Sequence, residues 1–78
     1  MLINPRYKIT KADNPLAQHR VGRIVEFKHR NVGKQCVWHN VNEDNYTYTS
    51  PVVEIIEEDN SLTIKTCYTY YTFEKEEE

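Results

Sequence analysis

Apolar and polar residues alternate along most of this chain, in runs separated by short polar segments. Alternation with a period of two places successive side chains on opposite faces of a strand. The runs are rich in valine, threonine and tyrosine, which favour strands, and none has the spacing of an amphipathic helix. The predicted strands are residues 21–28, 35–41, 46–56 and 62–73.

The segments between these strands carry residue types that turns require. Asn31 and Gly33 tolerate a positive φ and predict a hairpin connection over residues 29–34. The later connections, "NEDN" and "EEDNS", are dense in residues that hydrogen-bond their own backbone. They predict two further turns, over residues 42–45 and 57–61.

Irregularities are predicted inside three of the strands. Gly22 predicts a bulge near the start of the first strand. Pro51 has no N–H to donate to a ladder, so it predicts an edge position, a bulge or a bend. Residues 62–73 form the longest strand candidate, and their inward and outward faces change character at Tyr70-Tyr71. That change predicts a bend of the kind that barrel corners require.

The predicted fold is all-β: a single small antiparallel barrel, or a strongly curled sheet, of four or five strands. A chain of 78 residues forms one domain. Closure would also cover strand edges that a Tyr/Thr/Val-rich chain otherwise exposes. The predicted organisation is an irregular N-terminal arm over 1–18, the barrel over 19–73 and an acidic tail over 74–78.

Composition and the first residues predict a cytoplasmic location. No stretch approaches the roughly 20 apolar residues that span a bilayer, and "MLINPRYKIT" lacks the apolar run of a signal peptide. No membrane partner is therefore expected. For the same reason Cys36 and Cys67 are predicted to be reduced thiols rather than a disulfide.

The net charge of −2 conceals a strong asymmetry between the two halves of the chain. Residues 1–34 hold eight Lys and Arg against two acids, a net of +6, and residues 35–78 hold two against ten, a net of −8. Two interpretations stay open. Either the first half meets an acidic partner, or the two halves neutralise one another across paired strands.

No arrangement of residues predicts catalysis. The chain has no glycine-rich phosphate loop and no nucleophile-elbow pattern. Cys36 and His39 have the spacing of half a zinc site, but residues three apart on a strand project to opposite faces. We therefore expect a protein that is not an enzyme and that has no metal and no cofactor.

Binding is the function class that the residues favour. A basic cluster lies on the predicted hairpin and its approach, and aromatic residues are the types enriched at interface hot spots. For the rings the alternative is burial, because a domain with few leucines needs them to fill its core. The candidate binding residues are Arg20, Arg23, Lys28, Arg30, Lys34, Trp38, Tyr71 and Phe73.

The strand spacing over roughly residues 20–73 resembles that of Src-homology-three-like barrels, including Tudor and KOW domains. "VGRIVEF" followed by Gly33 is similar to the start of a KOW domain, although Arg23 stands where an aspartate is common. The resemblance implies a small barrel that binds partners in shallow grooves. In style, the short lead, mixed charge and Tyr/Thr density are similar to small early proteins of large tailed phages.

The predicted function is a binding module that docks on a protein partner through exposed aromatic groups and the basic hairpin. Such a module would modulate a host enzyme or a nucleoprotein machine. The alternative is direct nucleic-acid binding by the basic N-terminal half, with phosphates along the basic track and a base stacked on a ring. The sequence does not identify the partner or predict an oligomeric state.

Overall fold

Six antiparallel strands and one short 3-10 helix make up residues 5–76, the part of the chain that the computed structural model describes. Each strand pairs with the next along the chain, and β6 pairs with β1 to close the barrel. The strands are β1 (Tyr7–Ala12), β2 (Ile24–His29), β3 (Gln35–Asn40), β4 (Asn45–Glu57), β5 (Ser61–Thr66) and β6 (Tyr70–Lys75), and the 3-10 helix is Pro15–Arg20.

The N-terminal segment forms part of the barrel wall instead of the irregular arm predicted for it. Tyr7–Ala12 forms β1, which pairs with both β2 and β6 and buries Ile9 and Ala12 in the core. Two buried side chains three apart do not follow strict alternation, because the register shifts between Ile9 and Lys11. The shift breaks the alternation of buried and exposed residues on which the strand predictions were based. Residues 1–4 and 77–78, at the ends of the predicted arm and tail, lie outside the described residues.

The stretch predicted as one long strand over 62–73 is two strands, and together with β1 this gives six strands instead of the predicted four or five. A tight turn separates them. The Thr66 hydroxyl accepts a hydrogen bond from the Thr69 N–H at 3.1 Å and donates one to the Thr69 carbonyl at 2.9 Å. Threonine side chains that bond nearby backbone compete with a ladder, so the strand ends at Thr66.

The irregularity predicted at Pro51 is confirmed. β4 pairs with β3 up to Pro51 and with β5 from Val52 onward, with register shifts on both sides of this point. The first half of β4 therefore pairs with β3, and its second half pairs with β5. Gly33 has the positive φ predicted for the hairpin, at 90°. Gly22, with φ 97°, lies before β2 in a turn, where its N–H donates to the Ile9 carbonyl.

Aromatic rings fill the centre of the barrel. Trp38 packs edge-to-face on Tyr71 and Phe73, with ring centroids 5.3 and 5.5 Å apart. Phe27 joins Phe73 at 5.0 Å and links the cluster to Tyr7 at 5.4 Å. Edge-to-face pairs at these distances add to the stability gained from apolar burial.

A small polar network lies within the core beside the rings. The Trp38 indole N–H donates to the Asn40 side-chain oxygen at 3.0 Å, and the Asn40 amide donates to Asn45 and Thr47, each at 2.8 Å. Buried polar groups cost free energy unless they are paired, and these are paired. The network joins β3 to the start of β4.

The 3-10 helix packs against β1 and contributes Ala17 to the core. Asn14 begins it, with its side-chain oxygen accepting the Leu16 N–H at 2.9 Å, and Pro15 follows at the first helical position. Gln18 then donates to the Ala12 carbonyl. No helix within residues 5–76 is long and apolar enough to cross a membrane.

Candidate docking surface

The three aromatic residues predicted to bind a partner belong to the core. Trp38, Tyr71 and Phe73 expose 0, 2 and 0% of their surface. Each points inward on its strand, and the buried Tyr71 hydroxyl is paired, because it accepts a hydrogen bond from Arg20. Their predicted role at the surface is therefore corrected: these side chains shape the barrel and do not face a ligand.

A different pair of aromatic residues lies on the outer wall. Tyr46 and Tyr48 of β4 are 51% and 62% exposed, and they alternate with the buried Thr47. Across the ladder, Tyr46 faces His39, with ring centroids 5.1 Å apart, and Tyr48 faces Val37. β3 and β4 thus present a mixed aromatic and apolar face to solvent.

A shallow depression of about 360 Å³ adjoins this face at the β2–β3 hairpin. Val37, which faces Tyr48 on one side, also lines the depression, so the two features are continuous. We call the combined area the tyrosine–hairpin surface. Its residues are His29, Asn31, Lys34, Gln35, Val37, His39, Tyr46 and Tyr48.

Backbone contacts hold the hairpin against the middle of β4. The Gly33 N–H donates to the Val52 carbonyl at 2.8 Å, and the Val52 N–H donates to the Lys34 carbonyl at 2.9 Å. Val32 and Val52 form a parallel bridge at the same place. Lys34 is thereby placed at a defined position beside the depression, although its side chain is exposed.

Three of the five predicted basic binding residues have partners within the barrel. Arg20 donates from Nη1 to the Tyr71 hydroxyl at 2.6 Å. Arg23 lies 3.8 Å from a Glu43 carboxylate oxygen, and Arg30 lies 3.7 Å from one of Glu57 and 5.5 Å above the Phe27 ring centre. These side chains do not form one open track.

Lys28 and Lys34 are the two predicted basic residues that remain available. Both are exposed, and no carboxylate among residues 5–76 lies within 4 Å of either ammonium group. Two ion pairs, Arg23 with Glu43 and Arg30 with Glu57, join the basic half of the sequence to the acidic half. The opposite charges of the two halves therefore meet in part within the fold.

His39 has a defined orientation on the tyrosine–hairpin surface. Its Nε2 lies 3.0 Å from an Asp44 carboxylate oxygen, and Asp44 has a positive φ of 54° in the β3–β4 turn. Aspartate tolerates this left-handed conformation better than most residues do. The turn thereby holds one edge of the imidazole, whose ring is tilted by 43° to that of Tyr46.

A second, smaller depression of about 160 Å³ lies where Tyr7 and Phe27 approach the barrel end. Pro5 and Arg30 complete its lining. The Arg30 Nη1 atom is buried there without a hydrogen-bond partner among the described residues. Arg30 also approaches the Glu57 carboxylate and the Phe27 ring. We therefore assign this depression to packing at the barrel end and not to a binding site.

Within residues 5–76, no three His, Cys, Asp or Glu side chains lie together as a group that could hold a metal ion. Cys36 is buried and His39 faces outward, the opposed orientation that strand geometry predicts. Burial raises the pKa of the Cys36 thiol to about 12, against the opposing influence of the Arg30 charge. Cys36 is a packed, protonated thiol, while Cys67 is free and exposed.

The residue types of this surface were predicted from the sequence, but the aromatic residues that form it were not. The alternation of tyrosine with threonine in residues 45–50 was visible, but alternation does not say which set points inward. Threonine is small enough to fill the narrow space beside Trp38 and Asn40, so Thr47 faces the core and the tyrosines face out.

Comparison with protein-family models, with curated proteins and with solved structures gives no match for this chain.

Proposed function

We propose that the chain is a non-enzymatic binding module that docks on a protein partner through the tyrosine–hairpin surface. The observation that supports this most directly is the shared residue Val37, which faces the exposed Tyr48 and also lines the depression beside Lys34. Aromatic, apolar and cationic groups thereby lie on one continuous face. Exposed tyrosines with an apolar neighbour and a polar rim are typical of protein interfaces.

The proposal extends to the fold class, the cellular location and the kind of partner. A small closed antiparallel barrel is compatible with the Src-homology-three-like class, whose Tudor and KOW members the strand spacing resembles. In that class the partner occupies a shallow groove on the outer wall, as the depression here would allow. We place the module in the cytoplasm and assign it, by its likeness in style to small early phage proteins, a host enzyme or nucleoprotein machine as partner.

An affinity capture experiment tests this assignment. The immobilised protein is exposed to lysate of its source cells or their host, with and without nuclease, and captured proteins are identified. We expect one protein to be retained after nuclease treatment and to lose at least about tenfold in affinity with Lys34→Glu and Val37→Thr combined. Lys11→Glu, on the exposed side of β1, is the matched control and should retain it. Equal retention by both variants would contradict the surface assignment.

Direct nucleic-acid binding is the second candidate, and one observation favours it. Lys28 and Lys34 are exposed without a carboxylate within 4 Å among the described residues, and Tyr48 offers a ring face for base stacking. Arg20, Arg23 and Arg30 reduce its support, because their guanidinium groups already have partners. Titration of the protein into labelled single-stranded DNA and RNA tests this candidate directly, and Tyr48→Ala tests whether a base stacks on that ring.

A further inference from the structure

The first half of β4 has an open backbone edge. Residues 45–51 pair with β3 on one side, and pairing with β5 on the other side begins only at Val52. Within residues 5–76, no strand other than β3 and β5 and no part of the 3-10 helix lies beside β4. Closure of the barrel therefore leaves this edge of residues 45–50 without a neighbouring strand.

Unpaired backbone groups along that edge form a template for another strand. Alternate residues of an antiparallel strand point their N–H and C=O groups to opposite edges, so part of the backbone of residues 45–50 faces away from β3. Two carbonyl groups beyond residue 49 already accept hydrogen bonds. The Cys67 N–H donates to the Pro51 carbonyl at 3.1 Å, and the Thr49 hydroxyl donates to the Ser50 carbonyl at 2.7 Å. The open edge is thus limited to residues 45–49.

This segment lacks the charged side chains and prolines that usually keep an exposed edge strand from pairing with another strand. Exposed edges are normally interrupted by charged side chains or by proline. Residues 45–49 read "NYTYT", with no charge and no proline, and tyrosine and threonine both favour strands. An unprotected edge of this kind favours association with a further strand.

The segment is complementary to itself. In an antiparallel pair centred on Thr47, Tyr46 of one copy faces Tyr48 of the other, Thr47 faces Thr47, and Asn45 faces Thr49. Both tyrosines point outward and both threonines inward, so the opposed side chains lie on matching faces. Aromatic pairs and threonine pairs are among the favourable cross-strand neighbours, and no like charges are opposed.

We infer that two copies of this chain associate through antiparallel pairing of residues 45–49 of β4, as a twofold dimer. An isologous contact of this type closes on itself and satisfies the open edge in both copies. It also joins the β3–β4 faces of the two copies into one sheet surface. The inference stands on the strand edge and does not require the proposed docking function.

The test uses the full-length protein and measures its mass in solution by sedimentation over concentrations from about 1 µM to about 1 mM. We expect a monomer–dimer equilibrium. Tyr46→Lys combined with Tyr48→Lys places four lysines on opposed positions of the twofold pair and should weaken the dimer on the order of 100-fold. Tyr70→Lys, at a half-exposed tyrosine on β6, is the matched control and should leave the equilibrium unchanged.

A charge-reversal experiment guards against misfolding of the lysine variant. Tyr46→Glu combined with Tyr48→Glu should also be monomeric alone, and mixing it with the lysine variant should restore a dimer of one copy of each. A wild-type protein that stays monomeric throughout, or a mixture of folded variants that stays monomeric, would overturn the inference. Monomeric wild type that still captures its protein partner would leave the docking function standing.

Discussion

The Arg20 guanidinium donates a hydrogen bond to the Tyr71 hydroxyl across 2.6 Å, connecting the last residue of the 3-10 helix to the aromatic core. Tyr71 is almost fully buried and packs edge-to-face on Trp38. A buried phenol needs a partner, and a charged donor makes the stronger kind of hydrogen bond. Arg20, considered as a ligand contact from the sequence, thus has a structural role.

Tyr71→Phe and Arg20→Ala should each destabilise the barrel by about 1–2 kcal/mol, because each removes one partner of this hydrogen bond. The double variant should lose less than the sum, since both changes remove the same interaction. Urea denaturation, followed by Trp38 fluorescence, measures the free energy of unfolding. Lys11→Ala is the control, because its side chain is exposed on β1. Additive losses in the double variant would contradict the coupling.

The fold class followed from alternation and turn residues, and those signals are local. The strand predicted over 35–41, which the structure places at Gln35–Asn40, the Pro51 irregularity and the hairpin at Gly33 were each predicted from a few adjacent residues. The residues of β1 were assigned to an irregular arm instead, because the register shift breaks the period and the partner strands, β2 and β6, lie far along the chain. A bend was predicted close by, at Tyr70-Tyr71, but the turn over residues 67–69 that ends the strand was not, since threonine is common in strands and in turns.

The site was less predictable because exposure depends on the tertiary fold. Tyr68 is 79% exposed at a turn, whereas Phe73, a candidate binding residue from the sequence, is buried. Both residues belong to the same aromatic stretch, and the turn between β5 and β6 decides which ring enters the barrel. Composition therefore predicted a binding surface rich in rings without identifying which rings form it.

Core and surface rings should differ strongly in their contribution to stability. Phe73→Ala removes a buried ring that packs on Phe27, Trp38 and Tyr71, and large-to-small changes of this type cost about 3–5 kcal/mol. Tyr68→Ala should change the free energy of unfolding by less than about 0.5 kcal/mol. If Phe73→Ala is unfolded, Phe73→Leu should remain folded with a smaller loss. Equal effects at the two positions would contradict the assignment.

Asn40 should support the indole of Trp38. Asn40→Ala leaves the buried indole N–H without its acceptor and removes the donor to Asn45 and Thr47, so we expect a loss of about 1–3 kcal/mol. Asn42→Ala, in the exposed β3–β4 turn, is the matched control and should have little effect. Chemical denaturation measures both. A variant at position 40 as stable as the wild type would show that the network does not stabilise the core.

Cys36 should link stability to alkaline pH. Because burial raises the pKa of its thiol from 9.0 to about 12, the folded state keeps a proton that the unfolded chain releases. The contribution of the neutral thiol is complete below pH 9 and decreases as pH rises from 9 toward 12, by up to about 1.4 kcal/mol per pH unit. The difference in unfolding free energy between wild type and Cys36→Ala should shrink over this interval.

Alkylation provides an independent check on the two thiols. Iodoacetamide should modify the exposed Cys67 in the folded protein and modify Cys36 only after denaturant is added. Mass spectrometry of the digested protein locates each label. Labelling of Cys36 in the folded protein at the rate of Cys67 would contradict its burial.

Salt dependence should separate the two candidate functions. Docking on a protein through the tyrosine–hairpin surface depends mainly on Tyr48, Val37 and their neighbours, so affinity should change by less than about tenfold between 50 and 200 mM salt. Binding through several phosphate contacts would fall by orders of magnitude over that interval, linearly on logarithmic axes. Fluorescence anisotropy with the captured partner and with single-stranded DNA or RNA measures each slope.

The double variant Lys28→Ala with Lys34→Ala sharpens that comparison. Both ammonium groups are exposed, and no carboxylate among residues 5–76 lies within 4 Å of either, so in protein docking their removal should mainly slow association. In phosphate binding it should weaken affinity and reduce the salt slope, because fewer counterions are released. Lys8→Ala with Lys11→Ala, two exposed residues on β1, is the charge-matched control. A steep slope that becomes shallow only in the Lys28/Lys34 variant would replace protein docking with nucleic-acid binding as the function of this barrel.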